Sequence, residues 1–322
     1  ARMSKSVASV SLDLDNLWSY LKIHGSSGWE SRPSYLDVFV PHALRVLESL
    51  DLKITFFIVG ADAANPANAR ALRAITEAGH EVGNHSFEHE PWLHLYTRAQ
   101  LEQEIDRADS VIEAVTGMKP VGFRGPGFSW CPELLRVLAE RGYVFDSSTL
   151  PTYLGPLART YYFWTSNLSR EEREQRKELF GKFSDGLRPV KPYRWDLGGA
   201  SRLLEIPVTT APLIKTPFHF SYLAYLAQFS EFAMRSYLST ALAACRMTGT
   251  RPTYLLHPLD IIGGDQVSEL KFFPGMDVSS SRKTKLFEYV LSRLKDHFEL
   301  VPMGRHARLI DGDTALPVRR AA

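Results

Sequence analysis

The chain has 322 residues, of which 44% are hydrophobic and 23% charged, and its formal net charge is +2. This is the composition of an ordinary globular protein, which excludes an intrinsically disordered chain. The small net charge creates no field that would demand nucleic acid as a partner. Two cysteines lie far apart in the sequence and do not indicate a disulfide framework.

The first predicted element is a buried strand over residues 7–14, which are apolar and β-prone and end in acidic residues. Asp13 and Asp15 are two apart, so their side chains would point to the same face of the strand. An acidic residue at a strand end is as often a turn or helix N-cap residue, and that alternative stays open here. The residues before this strand lack the apolar core of a signal peptide, which favours a cytoplasmic protein.

The elements that follow alternate between strand-like and helix-like patterns. Further strands are predicted over residues 53–59, 80–84, 121–123, 143–145, 203–208, 253–256 and 298–301. Helices are predicted over residues 66–78, 97–115, 132–140 and 282–297. Repeated units of a strand and then a helix indicate a parallel sheet.

A pair of histidines follows the strand predicted over residues 80–84. His85 and His89 are four apart, which would place both on one face of a helical turn. One carboxylate and two imidazoles form a three-ligand set that leaves a position open for water, as in catalytic zinc sites. A second carboxylate would then be free to act as a base. Such pairs also occur on solvated helices, and His80 and His94 are close enough in sequence to be alternative ligands.

Two more short motifs follow predicted strands. Arg124-Gly-Pro126-Gly127-Phe128 comes after the strand over 121–123, and Leu255-Leu-His257 ends the strand over 253–256. Taken alone, Arg124 would commonly be a surface cation beside a turn. His257 alone could equally be a histidine that ends a buried strand and binds the backbone.

With these motifs in this order, the chain resembles the polysaccharide deacetylase family, the NodB-homology or carbohydrate esterase family 4 enzymes. The five motifs read Asp13-Leu-Asp15, His85-Ser-Phe-Glu-His89, Arg124-Gly-Pro-Gly-Phe128, Phe145-Asp146-Ser-Ser and Leu255-Leu-His257. The matches extend from about residue 7 to residue 260. The chain departs from many relatives in two respects: its two acids are not adjacent, and Gly127 stands where a tyrosine is common.

The resemblance implies an α/β fold, a distorted and incomplete (β/α) barrel of about seven strands. It implies a metal-dependent hydrolase that removes an N-acyl group, foremost acetyl, from an amino sugar. Asp15, His85 and His89 would bind one divalent metal, zinc in the first place, with cobalt, nickel or manganese as alternatives. Asp13 would be the general base and His257 the general acid.

The resemblance also assigns supporting residues. Arg124 would pair with Asp13 and hold it ionised, and Asp146 would hydrogen bond or charge-pair nearby. The backbone N–H of Gly127 would stabilise the oxyanion. Phe128 and Leu255 would line the substrate site, with Leu255 near the acyl methyl group.

We predict a single domain over residues 1–322, with two segments that the motifs leave unexplained. A cap-like insertion over about residues 150–200 includes a charged run, 169–178, that is predicted to be a solvated helix. An apolar helical segment spans about residues 217–245, and its uncharged run of about 15 residues is shorter than the ~20 of a membrane span. We expect a buried helix there, with a helix that meets a membrane surface or a lipid tail as the alternative.

Three other functions remain open. The substrate sugar could be carried on a lipid or nucleotide and lose a formyl or acetyl group at the inner face of the cytoplasmic membrane, with peripheral membrane contact. The fold could instead hydrolyse a small cyclic amide. A non-catalytic carbohydrate-binding relative would lack a ligand or base, and none is missing from this sequence.

Overall fold

The structure is a computed structural model that describes residues 5–155, 171, 183–198, 201–312 and 315–321. The helix predicted over 169–178 therefore lies outside the described residues, apart from Glu171. The strands are β1 (Val7–Leu14), β2 (Thr55–Ile58), β3 (Glu81–Asn84), β4 (Gly122–Phe123), β5 (Phe145–Asp146), β6 (Tyr193–Asp196), β7 (Arg202–Glu205), β8 (Thr253–Leu256), β9 (Glu299–Val301) and β10 (Val318–Arg320). The helices are α1 (Leu17–His24), α2 (Leu36–Ser49), α3 (Gly60–Ala63), α4 (Ala69–Glu77), α5 (Arg98–Thr116), α6 (Pro132–Glu140), α7 (Phe220–Phe229), α8 (Glu231–Met247), α9 (Ser280–His297) and α10 (Met303–Asp311).

Seven parallel strands form the wall of an incomplete barrel. They lie in the order β7, β5, β4, β3, β2, β1, β8, and each neighbouring pair is parallel. Beyond β7, β6 runs antiparallel and β10 pairs with β6, while β9 pairs with the start of β1. The predicted fold class, an open (β/α) barrel of about seven strands, is confirmed.

The two open edges of the parallel strands are joined by the segment that follows β7. The backbone N–H of Thr209 donates to the carbonyl oxygen of Thr253 over 3.1 Å. The N–H of Thr253 in turn donates to the Thr209 hydroxyl over 2.8 Å. These two bonds bring the edge of β8 next to the chain that leaves β7, so the wall is closed at this point without a regular strand.

The central strand β1 is buried on both faces, as parallel strands covered by helices usually are. Ala8, Val10, Leu12 and Leu14 belong to the main hydrophobic core. The alternate residues form a polar column inside the barrel. Ser9 contacts His306, whereas Ser11 and Asp13 both contact Arg124.

Helix α10 closes the end of the barrel at which the parallel strands begin. The N–H of Met303 donates to the Thr55 hydroxyl over 2.8 Å, and the N–H of Gly304 donates to the Glu81 carboxylate over 2.7 Å. A Cβ at Gly304 would lie 2.3 Å from that carboxylate, so any larger residue would have to displace the Glu81 side chain. Because this end is closed, the opposite end is where a substrate can enter.

The predicted strands and helices agree with the structure to within three residues at each end. Four helices of the described residues, α1, α2, α3 and α10, are not predicted from the sequence, and α2 contains an internal proline, Pro41. The apolar segment 217–245 forms two helices rather than one, because Ser230 ends α7 and caps α8 by accepting the N–H of Ala233. Among the described residues, no helix has the length and apolar character needed to cross a membrane.

Candidate active site

Three potential metal ligands meet at the ends of β1 and β3. The ligand atoms of Asp15, His85 and His89 all lie within 4.8 Å of one another. Asp15 Oδ1 is 2.9 Å from His89 Nε2 and 3.5 Å from His85 Nε2. Burial by itself raises the pKa of Asp15, but the charge on His89 and hydrogen bonds from both histidines bring that pKa well below its ordinary value. One carboxylate and two imidazoles in this arrangement fit a divalent metal with an open coordination position.

The hydrogen bond made by Nδ1 of His85 also fits a metal site. His85 Nδ1 donates to the carbonyl oxygen of Arg124 over 2.6 Å. With a proton fixed on Nδ1, the ring can present a lone pair on Nε2 to a metal beside Asp15. Metal-binding histidines usually show this arrangement, because the outer hydrogen bond fixes both tautomer and orientation.

His80 and His94 do not join this group. His80 Nδ1 accepts the backbone N–H of Ile54 over 3.1 Å. The His94 ring contacts the Ser129 hydroxyl. The alternative ligand sets that include either histidine are therefore wrong.

The loop that carries His85 and His89 is not helical, so the prediction of a helical turn is wrong. Ser86 and His89 both have left-handed backbone conformations, with φ of 62° and 54°. Asn84 Oδ1 accepts the N–H of Ser86 over 2.8 Å, and the Ser86 hydroxyl accepts the N–H of His89 over 3.1 Å. This compact loop turns both imidazoles towards Asp15, with ring centroids 5.0 Å apart.

A buried carboxylate that the motifs do not contain holds the same loop. Glu104 of α5 accepts the backbone N–H groups of Phe87 and Glu88 over 2.9 and 2.7 Å. Burial raises the pKa of Glu104, and these two bonds oppose the rise. The sequence does carry a signal for this residue, because Glu104 is an acid on the otherwise apolar face of α5.

Arg124 is fully buried inside the barrel, so its interpretation as a surface cation is wrong. Its Nη1 lies 2.6 Å from Asp13 Oδ1 and 2.9 Å from the Ser11 hydroxyl. Its remaining nitrogens donate to the carbonyl and hydroxyl oxygens of Ser147. A guanidinium bound on so many sides holds the Asp13 carboxylate in one orientation beside the metal ligands.

Asp146 lies behind this group and does not contact Asp13. It is paired with Glu205 across β5 and β7, and both side chains are fully buried. Burial raises the pKa of both groups, and the neighbouring Asp146 raises that of Glu205 further. The Ser148 hydroxyl donates to Asp146 over 2.6 Å and accepts the N–H of Gly125 over 2.8 Å, so Asp146 supports the loop that follows Arg124.

This loop bends sharply at the opening of the barrel. Gly127 and Phe128 both have a left-handed backbone, with φ of 58° and 60°. Gly127 is exposed and Phe128 half-buried. A cleft beside the loop is lined by Phe128, Trp130, Ser148, Thr149, Leu150, Asp185 and Arg188.

His257 lies on the other side of Asp13. Ser11 and Leu12 of β1 pair with Leu255 and Leu256 of β8, and one further step in this register places His257 next to Asp13. The buried Leu255 is therefore on the same face of β8 as His257, one layer below it.

A second histidine, His219, lies beside His257, with ring centroids 6.4 Å apart. It is distant in sequence and belongs to no motif, so only the tertiary structure reveals it. Burial lowers the pKa of His219 to about 3, assisted by the positive charges of His257 and Arg124.

Residues 28–145 match the family model described as polysaccharide deacetylase. A peptidoglycan deacetylase from Helicobacter pylori is 26% identical over 146 residues, which are 43% of this chain and 48% of that protein. A chitin deacetylase from Colletotrichum lindemuthianum is 29% identical over 117 residues, which are 35% and 47% of the two chains. The chain thus spans less than half the length of these curated relatives.

Solved structures share the fold. A protein assigned as a polysaccharide deacetylase from Mycobacterium smegmatis superimposes with a TM-score of 0.60 at 19% identity, over 98% of this chain and 94% of that one. The allantoinase PuuE superimposes with a TM-score of 0.58 at 15% identity, over 97% and 92%. Residues 28–145, together with the motifs before and after them, are therefore similar to the polysaccharide deacetylase family, the NodB-homology or carbohydrate esterase family 4 proteins.

Proposed function

We propose that this protein is a metal-dependent hydrolase that removes an N-acyl group, foremost acetyl, from an amino sugar. The observation that carries the proposal is the juxtaposition of two sets of groups at the open end of the barrel. Asp15, His85 and His89 supply the metal ligands. Asp13 and His257, on neighbouring strands, supply a base and an acid.

The ligand set suits zinc best among divalent metals. When bound, such a metal polarises an amide carbonyl and lowers the pKa of a water molecule. Asp13 takes the proton from the attacking water, and its ion pair with Arg124 keeps the carboxylate oriented for that transfer. Amine expulsion requires an acid, and His257 delivers the proton to the departing nitrogen.

The remaining residues shape the site around the acyl group. The N–H of Gly127 is the oxyanion donor, at the bend that the Arg124 loop makes beside the barrel opening. Phe128 faces the cleft, and Leu255 lies beneath the acyl methyl group. Asp146 positions the Arg124 loop through Ser148 and Gly125.

The test is acetate release from N-acetylglucosamine oligomers by the full chain, with metal content measured on the same sample. We expect chelation to abolish the activity and zinc to restore it, whereas magnesium, which prefers six oxygen ligands, should not. Asp15→Ala should lose both metal and activity. A protein that holds one equivalent of zinc and releases no acetate from any N-acetylated sugar would contradict the proposal.

A specific observation favours a lipid-linked amino sugar as the substrate. Along α7 and the start of α8, Tyr225, Phe229 and Phe232 are 60%, 72% and 81% exposed. Helix α7 contains no charged residue, and it starts directly after His219, beside His257. Exposed apolar surface next to a reaction site is uncommon unless it meets a lipid or a partner. The tail of such a substrate would lie along α7, and the same surface would contact the membrane.

Turnover of the octyl and methyl glycosides of N-acetylglucosamine distinguishes a lipid-linked substrate from a polymer. An enzyme that binds a lipid tail should prefer the octyl glycoside. The double variant Tyr225→Ser, Phe229→Ser should lose its preference for the octyl glycoside and keep its activity on the methyl glycoside. Leu309→Ser changes a half-exposed leucine on α10, at the closed end of the barrel, and serves as the matched control. If the unmodified protein turns over both glycosides equally and releases acetate efficiently from chitin oligomers, a polymer would be favoured as the substrate.

A further inference from the structure

His219 combines burial with unused hydrogen-bonding capacity. The residue is only 7% exposed, and the edge of its ring packs against Tyr222 with centroids 4.8 Å apart. Its Nδ1 is shielded from solvent and has no hydrogen-bond partner among the described residues. Buried polar side-chain atoms without a partner are rare in folded proteins, and each calls for an explanation.

The surroundings of His219 determine which nitrogen can act. Its pKa is lowered to about 3, so the ring is neutral at physiological pH and carries one N–H. A buried N–H without an acceptor is rarer than an unpaired acceptor, which favours the tautomer with the proton on Nε2. Nε2 makes no hydrogen bond with any described residue and, unlike Nδ1, is not fully shielded from solvent.

We propose that His219 is a substrate-binding residue whose Nε2–H donates a hydrogen bond to an oxygen on the carbon next to the nitrogen-bearing carbon of the sugar. The inference rests on the proposed function, which places the departing nitrogen at His257. An N–H···O hydrogen bond spans about 2.9 Å. Two rings with centroids 6.4 Å apart can therefore bind neighbouring substituents of one pyranose ring. His219 would thus select an amino sugar over a simple acetamide.

The experiment compares N-acetylglucosamine with its 1-deoxy and 3-deoxy analogues, which each lack one flanking oxygen, using the zinc-loaded full chain. We expect the unmodified protein to prefer the parent sugar over one analogue by about tenfold in kcat/KM, the value of one hydrogen bond. In His219→Phe, kcat/KM for the parent sugar should fall about tenfold. The kcat/KM for that analogue should stay at the value of the unmodified protein. His219→Gln, whose amide N–H reaches the position of Nε2, should keep part of the preference.

His306→Gln is the matched control, because His306 is also a buried histidine, and its Nε2 has no hydrogen-bond partner among the described residues. Its Nδ1, however, contacts Ser9 at the closed end of the barrel. If kcat/KM of His219→Phe falls equally for all three sugars, or if the pH dependence of its kcat shifts, His219 acts through His257. Either result would overturn the inference. An unchanged parent-to-analogue ratio in His219→Phe would overturn it too. If His219→Phe does not fold, the ratio for His219→Gln decides in the same way. A zinc-loaded unmodified protein that releases no acetate from any of the three sugars would overturn the proposed function itself.

Discussion

The two sides of the active site are built differently. On the side of the candidate metal ligands, backbone N–H groups of the loop from His85 to His89 donate buried hydrogen bonds to the side chains of Asn84, Ser86 and Glu104. On the other side, His257 is half-buried, and the helix beside it exposes aromatic rings to solvent. One side can therefore keep ligand atoms at fixed positions, whereas the other can adapt to the shape of a substrate.

This difference indicates how variants should behave. Changes on the metal-ligand side should lower metal affinity or stability, because each side chain there satisfies buried partners. Changes on the His257 side should alter the choice or rate of substrates while the fold remains intact. The first three of the following predictions test this contrast, and the fourth tests a buried carboxylate that contacts Asn16 and Trp18.

Asp13→Asn should cause the largest loss of activity. The base is removed while Asp15, His85 and His89 remain, so kcat should fall by about 10²–10⁴ with the metal content nearly unchanged. Turnover and bound zinc should be measured on the same preparation, with the highly exposed Asp51 changed to Asn as a control. Near-normal turnover with full metal occupancy would reassign the base.

His257→Ala should lower turnover strongly while leaving the melting temperature close to that of the unmodified protein. An acid matters most when the leaving amine is poor, so the loss should be about 10²–10⁴ for sugar amides and much smaller for activated anilides. Rates should be measured for a series of leaving groups. Equal losses across the series would argue against the acid role.

Glu104→Ala should weaken metal binding by about 10–100-fold, since it removes the acceptor that orders the ligand loop. Glu104→Gln retains an oxygen acceptor and should stay close to the unmodified protein. Glu102→Ala, on the exposed face of the same helix, is the matched control, and zinc affinity can be measured by competition with a chelator. An unchanged affinity in Glu104→Ala would show that the loop is rigid without this carboxylate.

Asp62→Asn should have the smallest effect, and that effect should depend on pH. Asp62 accepts hydrogen bonds from Asn16 and Trp18, but its Oδ2 has no partner among the described residues, and burial raises its pKa from 3.8 to about 6. The folded protein therefore holds this proton more tightly than the unfolded chain. Its stabilising contribution is complete below pH 3.8 and is lost as the pH rises through about 6.

The variant lacks this titration, so it should be more stable than the unmodified protein above pH 6, by roughly 1–3 kcal/mol. Between pH 4 and 6 its free energy of unfolding should also change less. Denaturant unfolding of the metal-free proteins measures both effects, with the exposed Asp37→Asn as the control. Parallel pH profiles for Asp62→Asn and the unmodified protein would contradict the prediction.

The proximity of the motif residues could be predicted from the sequence because they follow regular strands. Asp13, Asp15 and His257 lie where period-two strands and a parallel sheet bring them together. The conformation between His85 and His89 was not predictable, because left-handed backbone at Ser86 and His89 has no signature in these residue types. Residue spacing alone favoured a helical turn there.

Other features depend on contacts between distant parts of the chain. Glu104 could have been found from its position on an apolar helix face, but its partners could not. His219 becomes part of the site only because α7 packs near β8. The helix α2 was missed because Pro41 lies inside it, where proline normally ends a helical pattern.

The pairing of β1 has a consequence for folding during synthesis. Ser11 of this strand pairs with Thr55 on one side, but with Leu255 on the other. The nascent chain can therefore join β1, β2 and β3 early, and with them bring together Asp15, His85 and His89. The strand that carries Asp13 keeps one apolar edge unpaired until β8 has been made, and such an edge can associate with other chains in the interval. The order of synthesis thus leaves the strand that carries Asp13 exposed at one edge until most of the chain has been made.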